Sequence, residues 1–176
     1  MAAVQPKPEL LAPAGNMECA RAAVANGADA VYFGLPRFNA RMRADNFTPD
    51  QLPELVRFLH ERNRRAIAVL NILVFPDELA EAERELLLLN DAGVDAVMVQ
   101  DLGVAVLAQQ LNMRMEVHAS TQMTITNPDA VKFIARLGIK RVVLARELAL
   151  KEIAQFRSCH SERSEESLSE IGRAHV

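Results

Sequence analysis

Groups able to do chemistry recur directly after short apolar runs in this chain: Asn71, then Gln100 with Asp101, then His118 with Ser120 and Gln122, then Arg146 with Glu147. Titratable and polar groups gathered at one cleft are the usual mark of an active site. Asp101, His118, Ser120 and Glu147 are therefore the catalytic candidates, and Asn71, Gln122 and Arg146 the substrate-binding ones. A purely structural domain has no need of polar groups at four successive run ends. Each also has a structural reading. Asp101 stands before Leu102 and Gly103, as a helix cap would. Asn71 suits a turn, an isolated His118 would be a satisfied core histidine, and Arg146 with Glu147 would be a surface ion pair worth little. Titratable groups gathered at one cleft favour the site reading for His118.

A second set lies in the segment PRFNARMR, residues 36–43. Arg37, Arg41 and Arg43 with Phe38 could hold a phosphate or carboxylate in bidentate fashion, or form a solvated basic loop. Arg62, Arg64 and Arg65 precede the next apolar run and read as solvated surface at the opposite end of the fold. Other chemistries find little support. His60-Glu61 is followed by Arg64 where a zinc protease needs its second histidine. Cys19 has no evident base partner, and no nucleophile, base and orienting group are recognisable together. No metal site is expected, the Cys159-His160 pair included.

What positions these groups is an alternation of two periods. Apolar, β-rich runs are predicted as strands at Glu9–Ala12, Ala30–Gly34, Ala66–Leu73, Ala96–Gln100, Met115–Ser120 and Arg141–Ala145. Stretches with helical spacing lie between most of them. Thr48, Pro49 and Gln51 form a capping box, followed by the stripe Leu52, Leu55, Val56 and Leu59. Asn127-Pro128 opens another helix, with Val131, Ile134 and Ala135 on its buried face. Gly27, Gly93 and Gly138 each fall where a helix should stop shortly before a strand, one joint used three times.

Repeated strand–helix units force parallel pairing. The absence of a glycine-rich phosphate loop after the first strand favours a (β/α) barrel of TIM type over a doubly wound sheet. Six units are present where a closed barrel has eight and about 250 residues. The expected fold is therefore an incomplete barrel. Its active site belongs at the C-terminal strand ends, where the candidate residues fall. Along the fifth strand Glu116, His118 and Ser120 share one face and Met115, Val117 and Ala119 the other. The polar face should look into the barrel, with His118 and Ser120 near the mouth and Asp101 opposite.

Composition sets outer bounds. Of 176 residues, 50% are hydrophobic and 24% charged, as in an ordinary globular domain. The net charge of -3 argues against a general polyanion binder while leaving local basic clusters open. Two cysteines are too few for a disulfide framework. The longest apolar run, Ala66 to Phe75, is far short of the roughly 18 residues of a membrane helix. No export signal opens the chain, so a cytoplasmic location without membrane contact is expected. From Ser158 the periodicity gives way to the polar run SCHSERSEES. That run resembles translated intergenic repeat sequence, and Ile171 to Val176 match what a sequencing adapter encodes. The expected domain is 1–157, with residues 158–176 a low-complexity assembly artefact.

Several motifs in order carry a resemblance: PELLAPAG at 8–15, NGADAVYFG at 26–34, VQDLG at 99–103, HASTQM at 118–123 and RVVLAREL at 141–148. Over about Pro8 to Phe156 the chain resembles the collagenase-like peptidases of family U32. The resemblance implies a (β/α) barrel, with Asn71, Asp101, His118, Ser120, Gln122, Arg146 and Glu147 lining its mouth. The family carries a peptidase label, and its relatives include oxygen-independent hydroxylases of tRNA, rRNA or a quinone precursor. These draw on prephenate and hold an iron–sulfur cluster in a cysteine-rich signature downstream of the sixth strand. This sequence lacks that signature, so no cofactor is expected in the chain itself. Three readings follow. The parent is an RNA hydroxylase, with tRNA or rRNA and a small carboxylate as partners and no specific protein partner. Or it is a collagenase-like protease. Or the chain as written is an inactive or merely binding fragment with open, aggregation-prone sheet edges.

Overall fold

The computed structural model describes residues 7–158. All but the first residue of the expected 158–176 tail therefore lies outside the described residues. Six strands, β1 (Leu11–Pro13), β2 (Ala30–Gly34), β3 (Arg65–Leu70), β4 (Ala96–Val99), β5 (Glu116–Ala119) and β6 (Ile139–Val142), form one sheet in that order. Every neighbouring pair is parallel. A doubly wound sheet would reverse strand order at a switch point. The unbroken sequential order is that of a barrel, open between β1 and β6.

Helices α1 (Met17–Ala25), α2 (Leu52–His60), α3 (Leu79–Asp91), α4 (Leu102–Gln110) and α5 (Pro128–Ala135) fill the five crossovers, and α6 (Leu150–Ser158) follows β6. Their ends follow the local chemistry. At the Thr48 box, Gln51 Oε1 accepts the Thr48 N–H at 3.0 Å. The first turn is a 3₁₀ turn at Pro49–Gln51, and α2 continues it with Leu52, Leu55, Val56 and Leu59 all buried. Asn127 Oδ1 accepts the Ala130 N–H at 2.9 Å and starts α5, which buries Val131 and Ile134. The three joint glycines adopt φ of +91°, +81° and +78°, a region that penalises a Cβ.

The sheet carries two apolar clusters. Val31, Phe33, Ala68, Leu70, Val97, Val99, Val117 and Ala119 pack against the helices through residues such as Leu55, Leu86, Val104 and Ile134. Ala30, Ile67, Ala96 and Met98 make a second cluster on the opposite, inner face, joined by Leu11, Tyr32, Val69 and Val143. The expected parity of β5 is seen: Met115, Val117 and Ala119 belong to the helix side. Phe33 and Phe47 meet edge-on at 5.6 Å and 78°, a geometry worth about 0.5–1.5 kcal/mol beyond their burial. Among the described residues no helix is long and apolar enough to cross a membrane.

The strand boundaries depart most from expectation in β1, β3 and β6, while β2 matches, β4 is shorter by a residue at one end and β5 by a residue at each end. β1 begins two residues late, because the Leu10 N–H is taken by the Asp29 carboxylate at 2.9 Å instead of a strand partner. β3 ends at Leu70, and the Asn71 side chain turns to the neighbouring loop. β6 begins two residues early, at Ile139, and a register shift between Val117 and His118 skips Lys140 to pair His118 with Arg141.

Candidate active site at the strand ends

The C-terminal ends of the strands open into a cavity of about 940 Å³. Its rim is held together by two amides and a hydroxyl. Asn71, just past β3, accepts the Ala40 N–H on Oδ1 at 3.0 Å and points Nδ2 at Ser120 Oγ, 3.4 Å away. Ser120, 3% exposed, also accepts the Gln122 N–H at 3.3 Å, which starts a short 3₁₀ turn at Thr121–Met123. The ends of β3 and β5 and the loop after β2 are thus bonded into one wall. That loop holds its own shape. Buried Asn39 donates to the Leu35 carbonyl and accepts the Arg41 N–H at 2.7 Å. Asn46 in turn donates to the Ala44 and Arg41 carbonyls at 2.8 and 3.1 Å. Gly34 and Gly15 give this loop its seat. A Cβ on Gly34 would lie 2.8 Å from Asn39 Cγ, and one on Gly15 would lie 2.6 Å from the Asp45 carbonyl oxygen.

Asn71, Ser120, Gln122, Arg146, Glu147 and Arg41 line the cavity. The other arginines of the loop do not. Arg37 turns to α3, where it pairs with Glu81 and, at 3.9 Å, with Glu78, its guanidinium over the Phe38 ring at 5.0 Å. Arg43 is exposed and outside the lining. Asp101 is also absent from the lining. It is the N-cap of α4, with Oδ1 accepting the Val104 N–H at 3.0 Å, so the structural reading of this residue is the one the geometry supports.

His118 requires a correction of position. It shares the inner face with Ser120, yet it is 1% exposed and does not line the cavity. Two residues of strand rise, about 6.6 Å, set it below the mouth. Its Nε2 lies 2.8 Å from Glu116 Oε2, directed toward the N-terminal end. Glu116 in turn meets Arg65 at 2.7 Å, Arg65 meets Glu9 at 3.9 Å, and Glu9 meets Arg141 at 2.7 Å. Arg65, half-buried, is therefore part of an ion chain on the inner face and not the freely solvated surface residue expected, while Arg64 pairs with Asp29 at 3.0 Å. Inner residues of a barrel come in layers from alternate strands. Glu9, Arg65 and Glu116 are such a layer, contributed before β1 and at the starts of β3 and β5.

The hydrogen bond from His118 holds the Glu116 carboxyl down to about 2, against its burial and with help from Arg65. Burial keeps the His118 imidazole below its ordinary 6.5, outweighing the Glu116 hydrogen bond, and the Arg141 cation adds to the depression. Both shifts make the fold acid-sensitive. The unfolded imidazole takes up a proton below about pH 6.5 that the folded one refuses. Stability should therefore be level above about pH 7 and fall through pH 6.5, at up to about 1.4 kcal/mol per pH unit for one proton. Glu116 adds a second decline between its ordinary 4.5 and about 2. Urea titrations at stepped pH read this directly. His118→Gln should flatten the upper decline, and an unchanged slope would show that the imidazole titrates freely.

Some lining residues escaped the sequence reading. Tyr32, Val69 and Met98 form the inner floor, and Asn16, Asn39, Asn46 and exposed Cys19 stand around the rim. Parity along β2 could have found Tyr32, since it shares a face with Ala30 and Gly34. The amides, remote in sequence from Asn71, gave no such signal. Among the described residues no group of His, Cys, Asp and Glu is arranged to hold a metal ion.

Known proteins share this framework. An uncharacterized protease of Methanocaldococcus jannaschii is 42% identical over 149 residues, 85% of this chain and 36% of that protein. The 23S rRNA 5-hydroxycytidine synthase of Escherichia coli is 43% identical over 146 residues, 82% of this chain and 22% of that protein. The tRNA hydroxylation protein P1 of Bacillus subtilis is 38% identical over 151 residues, 86% and 36% of the two chains. The chain thus spans about a third or less of these relatives. A solved U32 peptidase superposes with a TM-score of 0.66 at 15% identity, covering 90% of this chain and 67% of that one, a likeness of fold. Peptidase family U32 matches residues 15–167, most of the sequence, and the chain belongs to that family.

Proposed function

We propose that this chain forms one wall of the substrate pocket of an RNA-hydroxylating member of family U32. The observation that carries the reading is the environment of Ser120. Its Oγ meets the Asn71 amide and the Gln122 N–H, while the nearest strand imidazole, His118, has Nε2 committed to Glu116. A serine hydrolase needs its base within hydrogen-bond reach of the hydroxyl. The rim instead offers neutral amides and a hydroxyl with exposed Arg41 and Arg146, groups that bind and orient. Relatives named for rRNA and tRNA hydroxylation point the same way. A protease reading rests on names alone.

On this reading Arg41 and Arg146 would hold RNA phosphate or a small carboxylate such as prephenate. The setting would be cytoplasmic. An iron–sulfur cluster takes four cysteine ligands. The described residues contain Cys19 as their one cysteine and do not form such a site. The chain by itself should bind RNA without turning it over. Anisotropy of labelled tRNA and rRNA stem-loops, run beside a gelatin digest, tests this. We expect RNA binding weakened about tenfold by Arg41→Gln with Arg146→Gln, a loss of about 1.4 kcal/mol, and intact gelatin. Gelatin cleavage abolished by Ser120→Ala, without RNA binding, would sink the proposal.

A further inference from the structure

Beneath the polar rim the cavity has an apolar floor. Tyr32, half-buried in the middle of β2, lines it with Leu11, Val69, Met98 and Val143, inner residues of four other strand positions. Above them stand the uncharged donors and acceptors of Asn71, Ser120 and Gln122. This vertical order, an aromatic ring and apolar side chains below and amides above, selects among ligands. A small carboxylate alone would leave the floor unused, or lose its hydration if pushed down onto it. A flat heterocycle with a polar edge uses both levels. Its face can stack on an aromatic ring, worth about 1–3 kcal/mol per base. Its edge can be met by side-chain amides, which pair with base edges in bidentate fashion. The volume, about 940 Å³, is at the upper end of small-molecule pockets, with room for a nucleotide and a second small molecule.

We infer that the cavity receives a single nucleobase, extruded from its strand, with its ring against Tyr32 and Met98 and its polar edge toward Asn71, Ser120 and Gln122. The inference rests on the RNA reading above and adds which part of the RNA enters and which residues receive it. Enzymes that modify a base must bring it out of the stack, and the few kcal/mol of unstacking are offset by contacts inside the pocket. Tyr32 takes the place of the neighbouring base.

The chain contains one tyrosine and no tryptophan, so tyrosine emission reports from this floor alone. The full chain is titrated with cytidine and with uridine, using N-acetyltyrosinamide to correct for absorbance, and separately with a labelled RNA stem-loop followed by anisotropy. The expected result is saturable quenching by nucleoside and by RNA, with Asn71→Ala weakening the nucleoside effect about tenfold. Tyr32→Phe should keep RNA affinity, while Tyr32→Ala should lower it about tenfold. RNA binding with unchanged emission and no nucleoside quenching overturns the base pocket and leaves the RNA reading standing. Nucleoside quenching without RNA binding supports the pocket and removes the RNA reading. Loss of both overturns both.

Discussion

Replacing Arg141 with methionine is expected to destabilise the fold by about 3 kcal/mol, near the lower end of the range for stripping one partner from a buried ion pair, because this pair is largely but not fully buried. Arg141 and Glu9 are 14% and 16% exposed in their side chains and meet at 2.7 Å. They lie 132 residues apart in sequence and join β6 to the segment just before β1, the two open edges of the sheet. Methionine keeps most of the apolar stem, so the loss reports on charge more than on packing. Glu9 would keep Arg65, at 3.9 Å, which places the cost toward the lower end of the range. The double variant Glu9→Leu with Arg141→Met should recover a large part of the loss, because removing both charges also removes the stranded one. Urea unfolding at pH 7 measures all three variants. A single-variant cost under about 1 kcal/mol would mean that water screens the pair like an ordinary surface bridge. The same substitution removes a cation that depresses the His118 imidazole, so the acid decline of stability should move to lower cost in Arg141→Met.

How much of this was legible in the sequence depends on the range of the signal. The Thr48 box, the Asn127 cap and the three joint glycines are local, and each appears in the structure at the residue expected. The parity of β5 is likewise a property of consecutive residues. The depth of a residue in a barrel is not. His118 and Ser120 share a face, but stagger between strands decides which one reaches the mouth, and stagger is set by pairing across the whole sheet. For the same reason Arg65 reads as surface in a basic run, RNRR, and proves to be a half-buried, inner-face partner of Glu116 and Glu9. Asp101 was ambiguous because a cap and a catalytic carboxylate want the same residue before a helix, and only the Val104 hydrogen bond separates them. Tyr32 went unread because an aromatic residue in a strand is ordinary β propensity.

Gly15 supplies the last expectation, and it concerns the mouth rather than the floor. The residue follows β1, in the turn that leads to the Asn16 cap of α1, and it lines the cavity. A methyl group there would stand 2.6 Å from the Asp45 carbonyl oxygen and 3.2 Å from Asp45 Cβ. The obstacle is backbone and cannot rotate away, so the loop after β2 must lift. Overpacking of this kind costs about 1–3 kcal/mol. What lifts is the segment carrying Arg41, Asn39 and Asn46, whose Ala40 N–H also steadies Asn71 through its side-chain oxygen. Gly15→Ala should therefore loosen the rim while the strands and the ion chain beneath stay paired. The expected signature is a lowered melting temperature of a few degrees together with nucleoside quenching of Tyr32 weakened about tenfold, about 1.4 kcal/mol. The acid decline governed by His118 should stay in place, since that residue sits a layer below. Normal quenching in Gly15→Ala would show that the loop is not a wall of the site, and the cavity would then be formed by the strand ends alone.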